Sequence, residues 1–488
     1  MKRWAFPLIL LFSTSPLWAE EFVRIPTVLH VHSTVSEKGR VSIPDIARLA
    51  SGYKIKAVIV TDTYLARVEY GLPPWRHLLR AIKERRSVLS FGLARYLRLL
   101  EEAGRTTPDV LVLPGVEITP FYYWEGRLPH LKLVNWNKHL LVFGLHHPSD
   151  YKFTVMSKPY FFPWKWGLSS FGPLWAFLFL GGGVFLLRKR AFDYRDASGR
   201  SLGPYSKTAR VFGSFFLTLA LLAFLNHLLD SQSPHDPYHG DRGEGPYQRV
   251  IDEAREKGGL VFWAHPEAIR SEPIGPIDTE TPFYANSLLD TAGYTGFAVY
   301  WEGFKHAGQP GGEWDEALVA YCRGKRPDPV WAIGESEYVS EGENGIWFNT
   351  LQTVLFAKGF NEASLLEAFQ KGRMYTLARP RDYELVLETF QVEDQRGLKA
   401  GMGEELVAEG EIRGRLSVTT SDGNVQPIKV RIVRDGNILK TFDLTTPCDV
   451  HFEDQGPSSG KTYYRADVIR DQGSLIITNP IFVRRESP

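Results

Sequence analysis

Short apolar runs that stop at a histidine or an acid recur between residues 25 and 337. Ile25 to Val31 ends in His30-Val31-His32, and Val58-Ile59-Val60 leads into Asp62. Val110 to Val116 leads into Glu117, and His139 opens Leu140 to Phe143. Leu260 to Ala264 leads into His265, and Val330 to Ile333 leads into Gly334-Glu335-Ser336-Glu337. Runs of this length bounded by polar residues read as buried strands. On a strand, His30 and His32 at i and i+2 point the same way, so both can reach one metal ion. Repeated strand ends carrying His, Asp or Glu suggest the mouth of a barrel.

Helical spacing fills the intervals. Ile43 to Ser51, Arg76 to Glu102 and residues 248 to 257 are read as helices, the last with Val250, Ile251 and Ala254 on one face and Gly258-Gly259 as its stop. Glu313 to Arg323 is a further helix, with Asp315 and Glu316 as its solvated face, and Glu362 to Lys371 is the last, capped by Asn361 and stopped by Gly372. Strand and helix in alternation predict an α/β barrel over residues 20 to 165 and 231 to 380. After Pro380 come short runs of period two, with tight turns at Asp422-Gly423-Asn424 and Asp435-Gly436-Asn437. They predict an all-β sandwich over residues 381 to 488.

Two stretches do not suit a soluble barrel. Leu168 to Leu187 is 20 residues without a charge, and Val211 to Leu229 is 19 residues with His227 as its one ionisable group. Each spans about 30 Å as a helix, one hydrocarbon thickness. The loop of residues 188 to 210 holds Arg188, Lys189, Arg190, Arg195, Arg200, Lys207 and Arg210 against Asp193 and Asp196, which marks it as cytoplasmic. Trp164, Trp166 and Trp175 sit near the other end of the first span, where indoles favour the interface. Lys2 and Arg3 before the apolar Ala5 to Phe12, with Leu17-Trp18-Ala19 as a cleavage site, read as a signal peptide over residues 1 to 19. The expected topology is a helical hairpin over residues 166 to 230, inserted in a barrel loop of a cell-membrane protein of bacterial type, with barrel and sandwich outside. The 57 Lys plus Arg against 56 acids leave no global field for nucleic acid, and no nucleic-acid partner is expected. Cys322 and Cys448 lack metal or disulfide spacing and read as free thiols.

The ordered series His-x-His-Ser, Thr-Asp, Pro-Gly-Val-Glu-Ile, His-Leu-Leu-Val-Phe-Gly, Ala-His-Pro and Gly-x-Ser-(acid) resembles the motifs of the PHP (polymerase and histidinol phosphatase) metallohydrolases. The branch it resembles most includes carbaryl hydrolases, whose β-rich C-terminal segment closes on Thr-Asn-Pro-Ile, here Thr478 to Ile481. The likeness covers roughly residues 22 to 165 and 235 to 485. It implies a distorted β/α (PHP-like) barrel in which His30, His32, Glu117 and Glu337 hold one metal, and Glu117 bridges to a second held also by His139 and His265. Where the family has Thr-Asp-His this chain has Thr61-Asp62-Thr63, and where it has Ser-Asp-x-His this chain has Ser336-Glu337-Tyr338-Val339. Both missing histidines serve a third metal in the family, so two divalent ions are expected. Glu337 is one methylene longer than the family's Asp, and Glu335 is the alternative ligand.

Imidazole and carboxylate donors without thiolate suit Zn, Mn or Fe. Two such ions can acidify a shared water and polarise a phosphoryl or carbonyl oxygen, which makes hydrolysis of a small-molecule ester the economical reaction. Asp62 either orients or deprotonates that water or supports His30 or His32 from behind. Phosphoesters on one side and carboxylic esters or carbamates on the other both remain open, with Arg67, Arg127 and Lys138 as basic candidates near the motifs. A non-catalytic envelope binding protein with a degenerate barrel is the rival. His147, in Gly144-Leu145-His146-His147-Pro148, is a weaker substrate contact, and His235 and His239 read as juxtamembrane linker.

Overall fold

The computed structural model describes residues 22–127, 129–155, 174–192, 194–200, 203–228, 235–275, 277–300, 302–470 and 473–486. The signal-peptide reading, Trp164, Trp166 and the start of the first expected span lie outside these residues, as does the Trp175 side chain.

One fifteen-stranded sheet organises the chain. Its first part runs, in order, through Trp331–Gly334, Gly296–Tyr300, Leu260–Trp263, Leu140–Phe143, Leu111–Ile118, Ala57–Val60, Val23–Val31 and Leu351–Ala357. The short central strands are buried along their whole length, as β-branched runs covered on both faces must be. Ladders are parallel from Val23–Val31 through Leu111–Ile118 and again from Leu260–Trp263 to Trp331–Gly334, with antiparallel pairings at Leu140–Phe143 between them. Helices Ile43–Gly52, Leu93–Thr106, Gly245–Arg255, Glu313–Cys322 and Glu362–Lys371 lie along the chain between strands. The Asn361 side chain accepts from Ser364 N at 2.9 Å, the N-cap read from the sequence.

Among the described residues no strand ladder joins Trp331–Gly334 to Val23–Val31; backbone bonds from Ser336 N to Leu29 O and from Tyr338 N to His30 O, each 3.0 Å, link the segment beyond it to the first strand. Beyond Trp331–Gly334 the outer edge is satisfied by side chains instead: Asn479 accepts from Ala332 N at 2.8 Å and donates to Ala332 O at 2.9 Å, while Thr353 Oγ1 meets Gly334 N at 2.9 Å. Only past that strand does the chain return to the first one, through the Val31–Tyr338 bridge, with His32 N donating to Tyr338 O at 2.9 Å. Asn479 belongs to the Thr-Asn-Pro-Ile segment, so the C-terminal region supplies the edge that the first part lacks.

The C-terminal strands share that sheet. Met374–Ala378 pairs with Gly473–Thr478, and the path continues through Gly460–Arg470, Pro427–Arg434 and Asn437–Thr445. A second sheet of Lys399–Gly401, Leu385–Glu393, Ile412–Thr420 and Cys448–Asp454 packs on it around Leu387, Leu416, Val418, Val430 and Val468. Period two along Ile412–Thr420 alternates buried and outward residues, as a sandwich requires. Cys322 and Cys448 are both free.

Two sequence expectations change. Arg76 to Glu102 is not one helix: Arg80–Glu84 is a strand paired with Arg67–Gly71, and helix begins at Val88. Gly71 and Pro73-Pro74 turn the chain back, and the open edge of Arg67–Gly71 takes the strand. Asp315 is not solvated. It is buried against the C-terminal sheet, where Arg465 Nε and Nη2 reach its two oxygens at 2.8 Å each, Tyr463 Oη donates at 2.7 Å and Gly311 N donates at 2.8 Å. Helical spacing alone cannot tell water from a neighbouring domain.

Helices Leu174–Arg188 and Lys207–Leu228 pack against one another, with Phe177 on Phe224 and Phe179 on Phe216, ring centroids 5.2 Å apart in each pair. Gly183 and Gly213 meet so closely that a Cβ on Gly213 would lie 2.9 Å from Gly183 O. Their outward residues, among them Leu178, Phe185, Val211 and Leu221, are exposed. Among the described residues Lys207–His227 is the one helix long and apolar enough to cross a membrane, and Ala176–Arg188 is shorter.

Because Arg465 is fully buried between Asp315 and Asp467, removing Asp315 takes away two of its charge-assisted bonds where no water replaces them. Asp315→Ala should cost about 3–5 kcal/mol. Chemical denaturation checks this, and a loss no larger than that of an exposed alanine substitution would contradict it.

Candidate metal centre

Glu117 is fixed before its side chain is considered. It lies next to the end of Leu111–Ile118, its N–H donates to Asp62 O at 3.1 Å, and its carbonyl accepts from Tyr64 N at 2.8 Å. Gly115, two residues earlier, is needed for the approach of the neighbouring strands, since a Cβ there would lie 2.8 Å from Thr61 Cγ2 and 3.1 Å from Phe143 Cβ. The carboxylate is buried, with Thr63 Oγ1 donating to Oε2 at 3.0 Å and Lys38 Nζ to Oε1 at 3.0 Å.

Four imidazoles surround it. His30 Nε2 lies 3.3 Å and His139 Nδ1 2.5 Å from Glu117 Oε1, and His32 Nε2 lies 3.8 Å from Oε2. Ligand atoms of His30, His32 and Glu117 fall within 4.8 Å of one another, as do those of Glu117, His139 and His265. Glu117 is common to both groups. Each of three rings is oriented from behind. His139 Nε2 donates to Trp136 O at 3.0 Å, and His30 Nδ1 meets Glu335 Oε2 at 2.8 Å. Tyr284 Oη donates to Ala264 O at 2.7 Å, so at His265 Nδ1, 2.8 Å away, it accepts. These contacts fix the outer nitrogens and turn His30 Nε2, His139 Nδ1 and His265 Nε2 toward the cluster.

Buried and without a hydrogen-bond partner among the described residues are both nitrogens of His32 and His265 Nε2, while His139 Nδ1 faces Glu117 Oε1 at 2.5 Å. An uncompensated buried acceptor is costly, and a metal ion is the partner that imidazole and carboxylate donors fit. The residues present therefore suit divalent metal, with Glu117 common to both ligand groups.

Electrostatics show the same demand for positive charge. Burial lowers the pKa of His30, yet Glu335 and Glu117 outweigh it and raise it to about 10. Burial lowers His32 and His265, which lack comparable pairing. Burial also works against ionised Glu117, but His139, Lys38 and His32 hold its carboxyl well below the usual range.

The backbone is strained at the centre. Seven non-glycine residues among those described have positive φ, and three are His30 at 62°, His265 at 27° and Glu337 at 43°. Each such conformation costs about 1–3 kcal/mol and persists only where its surroundings impose it. At His30 the register with Ala57–Val60 shifts between Leu29 and Val31. The two histidines thus converge through a bulge, with ring centroids 5.1 Å apart, and not through regular strand alternation.

Other candidates are placed differently. Asp62 accepts from Ser33 N at 2.8 Å, Ser36 N at 3.3 Å and the hydroxyls of Ser33 and Ser36 at 2.5 Å each. These bonds tie Asp62 to the turn after the His-x-His. Burial raises its pKa to about 6 against the pull of those serines. Glu335, which also accepts from His265 N at 2.9 Å, orients ligands, whereas Glu337 stands at the rim, 3.2 Å from Lys38 Nζ and outside both ligand groups. Lys138 pairs with Glu244 at 2.6 Å, Arg67 with Glu69 at 3.2 Å, and Arg127 ends an outlying strand. His147 is exposed, and His239 pairs with Asp236. Lys38 and Tyr284 escaped sequence reading, since neither stands at a strand end nor at a telling distance from a motif.

The chain matches no family model and no curated protein. Among solved structures it is similar to a two-domain protein of Bacteroides vulgatus described as containing a predicted PHP-like metal-dependent phosphoesterase, 14% identical over 94% of this chain and 95% of that one, TM-score 0.35. It is also similar to a candidate metal-dependent phosphoesterase of Bifidobacterium adolescentis, 14% identical over 65% of this chain and 88% of that one, TM-score 0.26. Superpositions this loose carry no functional argument, and the chemistry rests on the side chains.

Tyr284→Phe removes the acceptor that orients His265 without touching a ligand atom. Metal affinity, measured by competition with a chelator, should fall about 10–100-fold at unchanged melting temperature. Unaltered affinity would show that His265 is held by other means.

Proposed function

We propose that this chain is a metal-dependent phosphoester hydrolase, anchored in the membrane and facing outward, with two divalent ions sharing Glu117. The observation that carries the reading is the buried carboxylate ringed by four imidazoles, two of which, His32 and His265, present buried ring nitrogens with no hydrogen-bond partner among the described residues. Two divalent ions there would supply an acidified water and an electrophile for the ester. His30, His32, His139 and His265 would hold them, and Glu335, Tyr284 and the Trp136 carbonyl keep those rings in position.

The choice of phosphoester over carboxylic ester or carbamate rests on Lys38 and Arg270. Lys38 is partly exposed and spans Glu117 and Glu337 at 3.0 and 3.2 Å. Arg270, paired with Glu302, lies 3.9 Å from Glu337 Oε2. Basic side chains at the rim of the cluster favour an anionic oxygen. The Lys38 ammonium, kept protonated by Glu117 and Glu337, would bind and orient a phosphoryl oxygen. Membrane anchoring is supported by the paired apolar helices with exposed outer faces, and the outward orientation by the basic excess at 188 to 210.

The test is a screen of purified protein with phosphodiester, phosphomonoester and aryl ester substrates, alongside elemental analysis. About two metal equivalents and turnover of a phosphoester are expected. Glu117→Gln should abolish turnover and release at least one metal. Lys38→Met should keep both ions yet lose about 1.5–3 kcal/mol of phosphoester recognition, roughly ten- to a hundredfold in kcat/KM. Metal and activity both retained in Glu117→Gln would favour a binding protein instead; turnover of the aryl ester alone would overturn the substrate class.

A further inference from the structure

The hairpin of Arg67–Gly71 and Arg80–Glu84 is a two-stranded sheet joined, among the described residues, to no other. Its returning strand is exposed at all five positions, and Leu72, Leu79 and Ile82 are 42, 49 and 45% exposed. A lone hairpin is marginal in water, and large apolar side chains on its outside ask for a cover. Residues 67 to 86 also carry Arg67, Arg76, Arg80, Lys83, Arg85 and Arg86 against Glu69 and Glu84, in a chain whose overall balance is +1. Glu69 takes up Arg67 and Arg80, and Glu37 meets Arg85 at 3.2 Å, which still leaves the surface positive.

The position of the hairpin says what covers it. The N–H groups of His77 and Leu78, in its turn, both donate to Asn226 Oδ1, at 2.9 and 3.1 Å. Asn226 stands two residues before the end of Lys207–Leu228, about 3 Å along the axis, so the turn sits at the level where the apolar helix ends. Tyr238, just after the helix, is a second anchor: its hydroxyl accepts from Gly71 N at 2.6 Å and the Arg76 guanidinium lies 3.9 Å over its ring. This end is opposite the basic loop of residues 188 to 210.

We propose that residues 67 to 86 form an interfacial foot that lies on the anionic phospholipid headgroups of the bilayer entered by Lys207–Leu228. Leu72, Leu79 and Ile82 meet the acyl boundary, and Lys83 and the positive surface around it face lipid phosphates. The inference rests on the membrane reading above and adds a lipid preference to it.

Full-length protein is reconstituted in nanodiscs of phosphatidylcholine with and without phosphatidylglycerol, and amide hydrogen exchange is followed for residues 72 to 84 and for the helix. The hairpin should exchange several-fold more slowly when phosphatidylglycerol is present, and high salt should abolish the difference. Ile82→Ser/Lys83→Glu should abolish it too, while helix protection stays unchanged. Equal hairpin exchange in both discs with a protected helix would overturn the foot alone, leaving a protein partner as the cover. Release of the chain from membranes by alkaline carbonate would overturn the foot and the anchor together.

Discussion

A carboxylate buried away from water and ringed by imidazoles is tolerated only if positive charge reaches it, and this condition at Glu117 governs the architecture around it. Lys38 and Thr63 meet part of the demand, yet several ring nitrogens remain without partners. Everything that fixes the rings is directed outward from the cluster: His139 to a carbonyl, His265 to Tyr284, His30 to Glu335. The inner nitrogens are therefore already oriented for cations.

The sheet is built to hold this point. Ligands come from strands far apart in sequence, and the left-handed turns at His30 and His265 re-aim side chains that regular pleating would send elsewhere. Such strain survives because neighbouring segments overdetermine it. Asp62 clamps the turn after His32, Tyr338 bridges to Val31, and Asn479 satisfies the open edge of Trp331–Gly334 from the C-terminal region. The sandwich is thereby part of the scaffold of the centre, tied to it again by Arg465 and Asp315.

Strand ends were the legible part of the sequence, because a buried run and the polar residue that stops it are adjacent in the chain. Hence His30, His32, Glu117, His139 and His265 were all identifiable, and the structure brings them to one place. Roles decided by distant contacts were not. Asp62 stands at a strand end, but the serines that bond it lie across a turn. Glu335 and Glu337 are two residues apart, and only the left-handed backbone at Glu337 sends one inward and the other to the rim. Lys38 reaches the cluster from a loop whose course no periodicity encodes, and Asp315 faces a domain that helical spacing cannot distinguish from solvent. The bridge from Val31 to Tyr338 and the Asn479 contacts on the edge strand are likewise invisible to a pattern of strands.

Anomalous diffraction from crystals grown with manganese or zinc addresses the central claim directly. Two peaks are expected, about 3.5–4 Å apart, one beside His30 and His32 and the other beside His139 and His265, with Glu117 between them. A single peak away from Glu117, or none while Lys38 stays on that carboxylate, would contradict the assignment of this cluster as a two-metal centre.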